Sequence, residues 1–129
     1  MPNGKTVKRT VKMKNEKCVI FNIEEYMPTV LEGIHFLRVE LKLCKKHGVK
    51  VMKVIHGYGS SGTGGRLRVG LREFLQKEKD AGRIKNFVPG EKFEIFNFEC
   101  HSILDKCQEL RKDHDLNRHN NGVTLIELQ

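Results

Sequence analysis

No stretch of this chain is apolar for long enough to cross a bilayer, and residues 1–17 hold no apolar segment of the kind a secretory leader needs. A membrane-spanning protein is excluded on this reading, and a cytoplasmic location is expected. Cysteine is scarce as well. Cys18, Cys44, Cys100 and Cys107 form no C-x-x-C pair, and the C-x-x-H spacing of Cys44 and His47 finds no matching second pair, so a zinc site is not expected. Three of the four lie within apolar patterns and read as small buried hydrophobes, with no need of a disulfide. Acids are the third shortage: 16 Asp plus Glu face 24 Lys plus Arg, for a net charge of +8. A positive surface potential favours polyanions, of which nucleic acid is the commonest inside cells, although a solvated lysine face gives the same balance.

What is present suits one domain of 129 residues, 38% hydrophobic and 31% charged. Residues 1–17 form a basic arm, with Lys5, Lys8, Arg9, Lys12, Lys14 and Lys17 against the single acid Glu16. Val7, Val11 and Met13 are too sparse to fix a strand or helix there. The arm is expected to be mobile, either solvated or adding phosphate contacts.

Residues 18–129 carry the ordered pattern. Cys18–Ile23 reads as a first strand, and Pro28 stops the segment that follows it. Thr29 with Glu32 makes a capping box, and Val30, Ile34, Leu37, Leu41 and Cys44 recur at helical spacing, with Gly48 as the closing residue. Val49–Ile55 is a second strand, so that strand, helix and strand form a βαβ unit with parallel strands. A second helix is expected from about Arg66 to Lys79, burying Leu67, Leu71, Phe74 and Leu75. Arg83–Val88 reads as a third strand, Glu91–Phe96 as a short strand or extended loop, and roughly Glu99–Lys112 as a third helix. The polar stretch Asp113–Asn121 reads as a solvated turn, and Val123–Leu128 is apolar enough for a central or well covered strand. The order is therefore roughly β-α-β-α-β-(β)-α-β.

The chemistry concentrates between the second strand and the second helix, where V-I-H-G-Y-G-S-S-G-T-G-G-R-L-R spans residues 54–68. Gly57, Gly59, Gly62, Gly64 and Gly65 let the backbone approach a ligand without interference from Cβ, and a helix start offers unpaired N–H groups to an anion such as phosphate. Arg66, Arg68 and Arg72 are placed to add guanidinium contacts, and Tyr58 to stack on a base or ribose. His56, at the strand's end, is the candidate for proton transfer. A glycine-rich connection is also often only a flexible link, and a lone histidine at a strand end is more often a hydrogen-bonded structural residue.

The same stretch bears on other chemistries. Gly57-Tyr58-Gly59-Ser60-Ser61-Gly62 satisfies the G-x-G-x-x-G of a dinucleotide site, but the acids about twenty residues on, Glu78 and Asp80, fall within the second helix instead of ending the next strand. A P-loop is excluded because Thr63-Gly64 stands where Lys-Ser or Lys-Thr is required. A non-catalytic module docking on an acidic protein or ribosomal RNA remains a third reading. His114 and His119, with Asp113 and Asp115, read as solvated loop residues before they read as a metal site, and Arg118 with His119 can add phosphate contacts if the turn folds beside the glycine loop.

The apolar strand running into H-G-Y-G, the glycine loop with R-L-R opening a helix, and the terminal T-L-I-E-L strand after a glycine turn together resemble an Smr (small MutS-related) domain, over about Cys18 to Leu128. The resemblance implies a two-layer α/β sandwich with a small mixed sheet, similar to the C-terminal domain of a translation initiation factor. It also implies binding of DNA or RNA, which some members nick. The family's H-G-x-G falls on His56, Gly57, Tyr58 and Gly59, with Arg68 in the place of the helix arginine. The L-D-x-H of nicking members is replaced by Ile23-Glu24-Glu25-Tyr26, so that Glu24 stands for the aspartate and Tyr26 for the histidine; a slipped register puts Asn22 and Glu24 there instead. Glutamate can serve as a base or, with Glu25, hold a divalent cation, whereas tyrosine cannot shuttle protons near neutrality. His56 and Glu24 are thus the candidates for cleavage, and DNA or RNA the expected partner.

Overall fold

In the computed structural model, which describes residues 11–15, 17–58 and 63–129, the Thr29 capping box is fully formed. The Thr29 hydroxyl accepts from Glu32 N (3.1 Å), and the Glu32 carboxylate accepts from Thr29 N (2.9 Å). Helix α1 (Val30–Lys46) starts there. His47 follows it, and Gly48 turns the chain at φ +77°. Its inward stripe is Gly33, Leu37, Glu40, Leu41 and Cys44, with Val30 and Ile34 half-buried.

Strands β2 (Cys18–Asn22) and β3 (Val51–Ile55), on either side of α1, pair in parallel as a βαβ unit requires. Strand β5 (Val123–Glu127) lies antiparallel to β3, and β4 (Asn86–Pro89) antiparallel to β5. Strand β1 (Val11–Asn15), in the stretch read as too sparse for regular structure, pairs antiparallel with β2. The result is a five-stranded mixed sheet in the order β1-β2-β3-β5-β4. The remainder of the basic arm, residues 1–10 and 16, lies outside the described residues.

Alternation along the strands sends side chains to two cores. Val19, Phe21, Met52, Val54 and Ile126 pack beneath α1 and helix α2 (Thr63–Asp80), which contributes Leu67, Leu71, Phe74 and Leu75. The two helices approach closely: a Cβ at Gly33 would overlap Leu67, and one at Gly70 would overlap Val30. On the opposite face Cys18, Val51, Val88, Val123 and Leu125 pack against helix α3 (Phe98–Lys106) and a 3-10 turn at Gln108–Lys112. The expected mixed-sheet α/β sandwich is present, and α3 adds a cover to its second face.

Several boundaries differ from expectation. Helix α2 begins at Thr63, three residues early, so Gly64 and Gly65 sit in its first turn; N–H groups there have no intrahelical partner in any case. The third helix breaks at Cys107 (φ −135°, ψ 82°) and continues only as the 3-10 turn. Cys107 is joined to Cys18 by a disulfide, with a Cα–Cα distance of 5.9 Å, whereas Cys44 and Cys100 are buried and free. Residues 83–85 are a turn, and Gly90–Lys92 is a 3-10 turn where a strand was one alternative.

Candidate functional site

The pairings put the ends of β2, β3 and β4 and the beginning of β5 at one edge of the sheet: Asn22 pairs with Ile55, Ile55 with Val123, and Pro89 with Thr124. The glycine loop, the 3-10 turn Glu24–Tyr26, the Gly90–Lys92 turn and the Gly122 turn therefore converge there. Ligands of open α/β sheets collect at such an edge.

The root of the glycine loop is firmly held. His56 N and Gly57 N both donate to Gly122 O (2.9 and 3.0 Å). Gly57 has φ +89°, which favours glycine, and a Cβ on it would displace the end of the exposed Glu24 side chain. His56 itself is 1% exposed. Its Nδ1 donates to Gly57 O (3.1 Å), which leaves Nε2 to accept from the Thr124 hydroxyl (2.8 Å). Burial, aided by the charges of Arg72 and Arg68, lowers its pKa to about 4, so the ring is neutral at pH 7 with both nitrogens engaged.

Ile23 is fully buried, its N–H donating to Ile55 O (3.0 Å), so the exposed Glu24 is the residue that meets the loop. Glu25 turns elsewhere, to Asn22, whose Nδ2 donates to Glu25 Oε1 (3.2 Å). Tyr26 packs on Phe36 and Phe21, with ring centroids 5.4 and 6.3 Å away. The two carboxylates read as a divalent-cation pair thus have different partners. Among the described residues, the clusters with metal-ligand spacing are Asp113-His114-Asp115 and Cys18-Cys107-Glu109. In the first, both aspartates are engaged by Lys53, and in the second, both sulfurs form the disulfide.

The arginines divide by role. Arg66 is exposed, and Arg68 Nη1 donates to the backbone O of Tyr58 (3.0 Å), a residue that is 60% exposed. Arg72 is consumed by the fold: it makes a bidentate pair with Glu91 (2.9 Å each) and also donates to the Thr124 hydroxyl (3.1 Å) and Val123 O (3.1 Å). Gly59 and Gly62 lie outside the described residues, and Gly64 and Gly65 belong to α2.

A second network was not anticipated. Lys53, in the middle of β3, is 2% exposed, and its Nζ reaches Asp113 Oδ1 (2.8 Å) and Asp115 Oδ2 (2.6 Å). Asp115 accepts from Asn120 Nδ2 (2.8 Å), and Asn120 Oδ1 accepts from Gly122 N (2.8 Å). Burial pushes the Asp115 carboxyl up, but the bonds from Asn120 and Lys53 outweigh it and hold the group below the usual carboxylate range. The stretch read as a solvated turn is thus the strut that fixes Gly122, and through it the loop. The one local sign was a lysine in an otherwise apolar strand.

A family model described as the Smr domain matches residues 27–94, more than half of the chain, including H-G-Y-G and all of α2. No curated protein matches. Among solved structures, the chain is similar to the crystal structure of the Smr domain of Thermus thermophilus MutS2, with a TM-score of 0.51 and 20% identity. The match covers 88% of this chain and 98% of that one, and at such identity it speaks for the fold alone. With the family model, the sheet order and the H-G-Y-G loop in agreement, the chain belongs to the Smr domain family.

Proposed function

We propose that this Smr domain binds nucleic acid by the phosphate backbone at the glycine-loop edge, as Smr domains generally do. The observation that carries the reading is the arrangement of exposed Arg66, loop-facing Arg68 and exposed Tyr58 around one strand-to-helix turn, on a chain of net charge +8. Gly57, Gly59, Gly62, Gly64 and Gly65 supply the close backbone approach, the arginines the charge, and Tyr58 a stacking face. The dinucleotide alternative loses its ribose acids. Glu78 and Asp80 lie at the far end of α2, roughly 22–26 Å from its start at 1.5 Å per residue, where Glu78 pairs with Arg83 (2.8 Å) and Asp80 accepts from Gln76 (2.9 Å).

A nicking activity is a second reading, favoured by the exposed Glu24 carboxylate lying against Gly57. Glu24 serves in it as base, and His56 holds the loop in shape unless it leaves its buried site to carry a proton.

The test is a salt titration of binding to labelled single-stranded, duplex and branched DNA and RNA, with Arg68→Ala beside the wild type and magnesium present or absent. Arg68→Ala is expected to weaken binding to every sequence and lower the salt slope by about one. Binding that ignores salt, or an unchanged slope in Arg68→Ala, sinks the backbone reading. Nicked product lost in Glu24→Ala establishes the second reading.

A further inference from the structure

We propose that Phe96 and Phe98 form a stacking platform for unpaired nucleobases, so that the strand held at the glycine loop is read in single-stranded form; this rests on the backbone reading above. Single exposed hydrophobic residues are ordinary, but Phe96 is 95% exposed and Phe98 is 83% exposed, only one residue apart. The residue between them explains their stance. Asn97 caps α3, accepting from Glu99 N (3.0 Å), and its Nδ2 donates to Lys92 O (2.8 Å). Its backbone is extended (φ −81°, ψ 120°), and the Phe98 ring lies 5.7 Å from the tilted His101 ring with most of its surface still exposed.

The position of the pair follows from α3. Its C-terminal end is fixed at the far edge of the sheet by the Cys18–Cys107 disulfide and by Lys106 Nζ on the Glu127 carboxylate (2.5 Å). The N-terminal end of α3 is tied toward the opposite edge by Asn97, whose Nδ2 donates to Lys92 O in the turn that follows Pro89, the partner of Thr124. The contacts agree: a Cβ on Gly90 would strike Asn120 O and Val123, and Asn117 N donates to Phe93 O (2.9 Å), which lays the 117–120 turn between the two phenylalanines and Gly122. Lys92 is exposed, as are Arg118 and His119 in the turn whose Asn117 Oδ1 accepts from Ile95 N (2.9 Å), and His119 pairs with Glu94 (2.7 Å). Two aromatic faces beside cations, continuous with a phosphate-gripping loop, match a strand whose bases are free to stack.

The experiment compares single-stranded and duplex oligonucleotides of one sequence with the wild type, Phe96→Ala/Phe98→Ala, Phe96→Tyr/Phe98→Tyr and Arg68→Ala, each checked for unchanged unfolding in denaturant. Losing both rings is expected to weaken single-strand binding about tenfold or more, without changing the salt slope or the duplex affinity, since stacking releases no counterions. The tyrosine pair keeps the affinity. Single-strand binding unchanged in the alanine pair, an equal loss on duplex, or self-association that disappears with the rings overturns this proposal while leaving the backbone reading in place. A wild type that binds neither oligonucleotide overturns both.

Discussion

Lowering the pH is expected to destabilise this domain through His56 before most of its carboxylates titrate. An unfolded histidine takes up its proton near pH 6.5, whereas burial holds His56 neutral down to about 4. Between those values the unfolded chain binds more protons than the folded one, so stability falls as pH falls through the window. The full gap amounts to about 3 kcal/mol, of which about 2 kcal/mol is lost between about pH 7.5 and pH 5. The assay is denaturant unfolding at those two pH values for the wild type and His56→Gln, with stability read from midpoint and slope. The variant starts lower, having lost the ring and its fit to Thr124 and Gly57, but should be flatter by about 2 kcal/mol, because the substitution removes the group that carries this proton uptake. Equal pH dependence in the two would refute the reasoning. It would mean that His56 gains its proton near neutrality in the folded protein, which returns it to the role of proton shuttle.

Lys53→Met leaves Asp113 and Asp115 buried without a countercharge and should cost about 3–5 kcal/mol in the same unfolding assay. Gly57→Ala should destabilise by about 1–3 kcal/mol, from a φ of +89° and the collision with Glu24; adding Glu24→Ala should recover only the collision, a non-additivity visible in a double-mutant cycle. Reducing the Cys18–Cys107 bond, which spans 89 residues, should lower stability by up to about 4 kcal/mol, measured with and without reductant against Cys107→Ser. Arg72→Ala should lose stability through Glu91 and Thr124 while leaving the salt slope of nucleic-acid binding where it was, the reverse of Arg68→Ala.

Where a local signal and a tertiary need coincide, the sequence is easily read. Thr29, Glu32, the four-three spacing and Gly48 all act within one helix and its two ends, and α1 lies where they place it. Helix α2 was misplaced by three residues because Gly64-Gly65 has the composition of a loop, yet at a helix start glycine forfeits no hydrogen bond. The third helix was overextended because Leu110 keeps the helical period after the backbone has left it at Cys107, the 3-10 turn still pointing it inward. Lys12 and Lys14 hid an edge strand in Val11–Asn15, and such charges are common where a strand must not pair with another chain. Lys53 finds its aspartates 60 and 62 residues away, and Cys18 finds its partner 89 away; no window of the sequence holds both members of either pair.

The same distinction separates charge that binds from charge that builds. Arg66, Arg68 and Arg72 look equivalent in sequence, all within two turns of a glycine loop. Arg72 follows Arg68 by four residues and so sits on the same helical face, but one turn deeper. That turn brings it under Thr124 and beside Glu91, where the fold uses all of its charge. From the opposite face of the sheet, Lys53 does the corresponding work through Asp115 and Asn120. The two networks meet on either side of the His56–Gly57 backbone, one through Gly122 and the other through Thr124. Two of the cations nearest the loop therefore set its shape and are not available to an anion. Among the described residues of α2, that leaves Arg66 and Arg68, in its first two turns, for the proposed phosphate contact, on a loop whose root the two networks hold from both sides.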